Sequence, residues 1–116
     1  METKMIVAGG RDFGDYEYLK TKILELADQY ECLSLVSGTA RGADALAIKF
    51  SKEFNCVCYE FPADWSIGRS AGYVRNKQMA DFSDVLLAFW DGQSRGTGHM
   101  IQTMQAQGKT VIICGY

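Results

Sequence analysis

Leu33-Ser34-Leu35-Val36-Ser37-Gly38-Thr39-Ala40-Arg41-Gly42-Ala43-Asp44 is the stretch whose reading decides the fold. An apolar run of strand length stops at Ser37, and a glycine-bearing turn follows. From Arg41 onward the spacing of Ala43, Leu46, Ala47, Phe50 and Phe54 predicts a helix with one buried face, and Asn55 suits the left-handed position beyond its end. The same order of events recurs along the chain. Apolar runs at 5–8, 33–37, 56–61, 85–90 and 110–114 predict five strands. They are nearly continuous rather than alternating, as in a parallel sheet covered on both faces. Asp15 opens a first helix with the stripe Leu19, Ile23, Leu26 and Tyr30. A third helix spans about 70–82, and a fourth about 96–107, with Thr97, Ile101 and Met104 inward and Gly108 as its stop. The third has a weak stripe in which Arg75 shares a face with Met79 and Phe82. This alternation predicts an α/β, Rossmann-like, doubly wound parallel five-stranded sheet with helices on both faces and right-handed crossovers. Its 116 residues form a single domain, 1–116.

Composition narrows the function classes. A net charge of −2 and a pI near 5.3 argue against a nucleic-acid partner held by excess lysine and arginine, but not against one small phosphorylated ligand. No apolar run reaches membrane-span length, so no membrane partner is expected. The start Met1-Glu2-Thr3-Lys4 leads straight into a strand-like run, which predicts no signal peptide and a cytoplasmic protein. Cys32, Cys56, Cys58 and Cys114 form no C-x-x-C pair, and His99 is the lone histidine. Buried, reduced thiols and no metal site are expected.

The five arginines sort differently from the lysines. Arg11, Arg41, Arg69, Arg75 and Arg95 lie at or just after junctions between strand and helix, whereas Lys20, Lys22, Lys49 and Lys52 fall on helix bodies. In a doubly wound sheet, the junctions after the strands share one edge. A guanidinium grips phosphate through two parallel hydrogen bonds. Gly9-Gly10-Arg11-Asp12 reads equally as a close approach to an anion or as a tight turn with a surface Arg-Asp pair. Ser37, Gly38, Thr39, Arg41 and Asp44 surround a helix start, which is a ready anion site, although capping uses the same hydroxyls. Asp91, Gly92, Ser94, Arg95, Gly96 and Thr97 crowd a third such junction with His99. Trp65 reads as packing on the sheet edge rather than as a ligand contact.

Gly-Gly-Arg-Asp-Phe (9–13), Ser-Gly-Thr-Ala-Arg-Gly-Ala-Asp (37–44), Phe-Pro-Ala-Asp-Trp (61–65), Arg-Asn-Lys-Gln-Met (75–79) and Phe-Trp-Asp-Gly-Gln-Ser-Arg-Gly-Thr (89–97) together resemble the YspA-like, cpYpsA-related branch of the SLOG superfamily. The resemblance implies a nucleotide or nucleotide-derived ligand, such as an ADP-ribose-type or cyclic nucleotide signal in antiviral signalling, and no required cofactor. It adds Asn76 to the site and implies a homodimer. The more distant LOG-type phosphoribohydrolases place their catalytic arginine where Arg75 stands. Their catalytic glutamate falls at Met100, whose thioether supplies neither charge nor base. A sensor or sequestering module is therefore the leading expectation. A nucleotide N-glycosidase using Arg75 with Asp91 or Asp44 comes second. Single-stranded DNA binding, by analogy with the DprA branch, ranks last for want of a lysine-rich groove.

Overall fold

The computed structural model describes residues 1–116. Five strands, β1 (Glu2–Gly9), β2 (Cys32–Ser37), β3 (Cys58–Glu60), β4 (Val85–Trp90) and β5 (Thr110–Gly115), alternate with four helices, α1 (Tyr16–Ala27), α2 (Ala43–Glu53), α3 (Ala71–Phe82) and α4 (Arg95–Ala106). A single 3-10 turn at Trp65–Ile67 precedes α3. All pairings are parallel, in the order β3-β2-β1-β4-β5. The chain thus winds outward from β1 to β3, crosses over, and winds outward again from β4 to β5. The point of reversal lies between β1 and β4, where an α/β sheet leaves a crevice at the carboxyl ends of its strands.

Alternate residues of each strand divide two cores. Met5, Val7, Leu35, Val85, Leu87 and Phe89 pack under Leu19 and Ile23 of α1 and Ala43, Ala47 and Phe50 of α2. Ile6, Ala8, Val36, Leu86 and Ala88 pack under Met79 and Ala80 of α3 and Met100, Ile101 and Met104 of α4. Burial on both faces explains the unbroken apolar runs of β1, β2 and β4, whereas the edge strands β3 and β5 are only partly covered, Ile113 of β5 being exposed. Asp15 caps α1 by accepting the Tyr18 amide at 3.1 Å, Asn55 is left-handed at φ 52°, and Gly108 follows α4 at φ 71°.

Three expectations need correction. β3 is half as long as its apolar run: the Cys56 amide is taken by the Ser51 carbonyl at the end of α2 at 3.0 Å, and pairing with β2 runs only from Cys58 to Glu60. Phe54 lies past the end of α2 and is exposed, stacked on Phe50 instead of entering the core. Of the four free cysteines only Cys114 is buried; Cys56, just before the short edge strand, and Cys58, its first residue, are half-buried, and Cys32 is exposed at the first position of β2.

Candidate functional site

The loops after β1, β2 and β4 and the start of α3 converge on a hollow of about 530 Å³. Gly9, Gly10, Arg11 and Asp12 come from the end of β1 and its loop, Ala40 and Asp44 from the loop after β2 and the start of α2, and Asp91, Ser94, Gly96 and Thr97 from the loop after β4 and the start of α4. Trp65, Arg69, Gly72, Tyr73, Arg75 and Asn76 close the side formed by α3, and Ala8, Met79 and Met100 form an apolar floor. A second hollow of about 420 Å³ adjoins it, reached by Gly38, Thr39, Arg41, Pro62 and Ala63. Arg11, Ala40, Trp65 and Arg75 border both.

Charge is distributed unevenly. Every ion pair in the molecule is made by Lys20, Lys22, Lys77 or the N-terminal amine; no arginine has a carboxylate within pairing distance. Arg75 is half-buried and held by neutral oxygens. Its Nη1 donates to the carbonyls of Gly38 and, at 3.5 Å, Phe61, while its Nε donates to Asn76 Oδ1 at 3.2 Å. Nη2 has no protein partner. Burial lowers its proton affinity, Asp44 opposes this, and the like charge of Arg11 adds to it. A guanidinium nevertheless stays charged throughout the accessible pH range.

Gly38 makes this clamp possible: a Cβ there would sit 2.6 Å from Arg75 Nη1 and 2.8 Å from Asp44 Oδ2. Gly42, at φ 80°, lets the start of α2 rest on the first loop, because its Cβ would meet the Gly10 carbonyl oxygen at 2.1 Å. α4 begins without a side-chain cap. Its first turn closes with the Gly98 amide on the Ser94 carbonyl at 3.0 Å, leaving the amides of Arg95, Gly96 and Thr97 without protein acceptors. Such amides, at the positive end of the helix dipole, suit an anion.

The three carboxylates of the hollow have separate environments. Asp12 accepts the Tyr116 hydroxyl at 2.6 Å, and burial together with that bond pushes the phenol up to about 12. Asp91 accepts the amides of Ser94 and Gln93, each at 2.9 Å, which hold it below the usual carboxylate range. It is an exposed loop cap and a poor base. Asp44 is buried, and burial pushes it up to about 6 despite the Ala40 amide at 3.2 Å and the nearby charges of Arg75 and Arg11.

Several expected site residues have other employment. Ser37 is fully buried; its hydroxyl donates to the Asp44 carbonyl at 2.9 Å and accepts the Thr39 amide at 3.2 Å, so it braces the turn from below. Gly92 and Arg95 line neither hollow: Gly92 turns the loop at φ 83°, and Arg95 points outward from the start of α4. Asn76 lines the hollow, yet its amide nitrogen donates to the Gly96 carbonyl at 3.2 Å and meets His99 Nδ1 at 3.1 Å, tying α3 to α4. His99 is thereby an acceptor at Nδ1. Burial lowers its proton affinity, and its ring lies 4.3 Å from that of Tyr73. Trp65 reverses its expectation: it is 58% exposed and borders both hollows. Arg69, Tyr73 and Ala40 line the hollow as well. Arg69 carried the signal, because it occupies the same kind of junction as its neighbours.

The sequence profile described as the YspA, cpYpsA-related SLOG family matches residues 3–68. The Gene 61 protein of Mycobacterium phage D29 is 39% identical over 90 residues, covering 72% of each chain. Among solved structures, DNA processing protein A from Helicobacter pylori, described for its single-stranded DNA binding mode, superposes with a TM-score of 0.69 over 96% of this chain at 19% identity. This chain spans 64% of that protein's length, and the likeness is one of fold. The Gly-Gly-Arg-Asp and Ser-Gly-Thr-Ala-Arg-Gly-Ala-Asp loops that build one wall of the hollow lie inside the matched span, and the chain belongs to the YspA, cpYpsA-related SLOG family.

Proposed function

We propose that this protein binds a nucleotide or nucleotide-derived ligand at the carboxyl edge of its sheet, as a sensor or sequestering module. One observation carries the reading: Arg11, Arg69 and Arg75 line a single hollow, and none has a carboxylate partner. The unbonded amides at the start of α4 face the same need for an anion. The apolar floor of Ala8, Met79 and Met100 suits a base or sugar face. A charge-assisted hydrogen bond contributes about 1.5–3 kcal/mol. Two or three of them, less the cost of immobilising the ligand, correspond to roughly micromolar affinity. Isothermal calorimetry with AMP, GMP, ADP-ribose and cyclic nucleotides tests this directly. Saturable binding of at least one, weakened in Arg11→Ala, supports the proposal; no binding tighter than about 1 mM across the panel refutes it.

A hydrolytic role would rest on Asp44 rather than Asp91, because a buried carboxyl near 6 suits general acid chemistry at neutral pH. Free base released from a nucleotide, and lost in Asp44→Asn, would favour that reading. Single-stranded DNA binding draws on the fold neighbour and on the exposed Trp65, and the same calorimetry with an oligonucleotide separates it. Self-association through the exposed Tyr73–Val74 face of α3 belongs to the same proposal and is read by sedimentation.

A further inference from the structure

Two adjoining hollows open at the same edge, of about 530 and 420 Å³. Volumes of this order each accommodate one small organic group. They share the wall formed by Arg11, Ala40, Trp65 and Arg75, and each has one arginine of its own, Arg69 in the first and Arg41 in the second. A mononucleotide in either hollow would leave the other hollow, with its arginine, without a ligand group to contact.

The shared wall concentrates positive charge. Arg11 stands close enough to Arg75 to oppose its protonation. The carboxylate that feels both is Asp44, buried beneath them. Arg75 is fixed in place by the Gly38 and Phe61 carbonyls, so its free Nη2 requires no reorganisation to meet a ligand. Trp65 stands beside these two guanidiniums with its ring 58% exposed, on a three-residue helix whose start is pinned by Asp64 accepting the Ser66 amide at 3.1 Å. An exposed indole bordering both compartments is a stacking surface for a base.

Building on the nucleotide-binding reading, we infer that the ligand is a phosphate-linked dinucleotide, with its linking phosphate at the wall between Arg11 and Arg75 and one nucleoside end in each hollow. Joining two ends makes the second contact intramolecular, so the joined ligand gains over either half without any new type of contact.

The experiment is calorimetry on the full chain with four probes: AMP, adenylyl-(3′→5′)-adenosine, diadenosine pyrophosphate and a 20-mer oligothymidylate. At least one dinucleotide should bind about tenfold or more tighter than AMP. Whichever it is reports whether the linkage is a phosphodiester or a pyrophosphate. In Arg41→Ala that advantage should collapse towards one, because the second hollow loses its own arginine. Trp65→Leu, at an exposed position, should weaken the dinucleotide while leaving the melting temperature in place. Equal affinity for AMP and both dinucleotides overturns the inference and leaves nucleotide binding standing. The oligonucleotide binding tighter than either dinucleotide, with affinity rising with length, also overturns it. Failure of all four probes overturns the inference, and failure of GMP, ADP-ribose and the cyclic nucleotides as well removes the nucleotide-binding reading beneath it.

Discussion

Replacing Asp44 with Asn should stabilise the protein at neutral and alkaline pH. Asp44 is 7% exposed, and its carboxylate receives one backbone amide and the partial support of two guanidiniums, neither within pairing distance. Burial outweighs these, raising the carboxyl from 3.8 to about 6. A shift of about 2 units at about 1.36 kcal/mol each amounts to ~3 kcal/mol. Because the folded state holds this proton more tightly than the unfolded chain, the favourable contribution is complete below 3.8 and is lost as pH rises through about 6. Asn keeps the shape and an acceptor for the Ala40 amide without the charge. Urea unfolding of both proteins at pH 5, 6, 7 and 8 should show Asp44→Asn gaining relative to wild type as pH rises, by about half of that ~3 kcal/mol between pH 5 and 8 and most of it before pH 7, the other half being lost already between 3.8 and 5. His99 acts in the opposite sense: its folded value is lowered by burial, so its contribution is present above 6.5 and lost as pH falls. That contribution is common to both proteins and cancels in the difference. A difference that stays flat from pH 5 to 8, or that favours wild type more at pH 8, would show that the arginines outweigh desolvation and would refute the reasoning.

Arg69→Ala should leave stability within about 0.5 kcal/mol, because the side chain is exposed and unpaired, yet weaken nucleotide binding by about 1.5–3 kcal/mol in calorimetry. Gly42→Ala should be severely destabilising in thermal unfolding, beyond the ~1–3 kcal/mol of its backbone conformation alone, because the methyl would collide with the Gly10 carbonyl. Ser83→Ala should raise stability by about 1 kcal/mol in urea, because the Ser83 hydroxyl is buried at the end of α3 without a partner.

The fold was legible because a doubly covered parallel sheet writes its strands as plain apolar runs and its helices as stripes. Asp15 and Gly108 mark their helix ends by local chemistry alone. The start of the edge strand β3 was not legible, since Cys56 looks like a strand residue and residue type does not show that its amide bonds back to Ser51 of α2. Within the site, Arg75 betrayed itself by lying in an apolar stripe. The roles of the carboxylates were not legible, because their partners are tertiary. Asp12 is engaged by Tyr116 from the other end of the chain, and Asp44 is set by burial rather than by its neighbours in sequence. Trp65 escaped because indole serves packing and stacking equally well, and only its position on a short helix above the shared wall separates them.

The convergence of unpaired arginines and free helix amides on one anion is tested most directly by backbone amide NMR of a labelled sample titrated with AMP. The account predicts saturable shifts concentrated at Gly10, Arg11, Gly96 and Thr97, together with the Arg75 side-chain Nε–H. Shifts confined to the lysine-bearing surfaces of α1 and α2, or spread over the molecule without saturating, would contradict it.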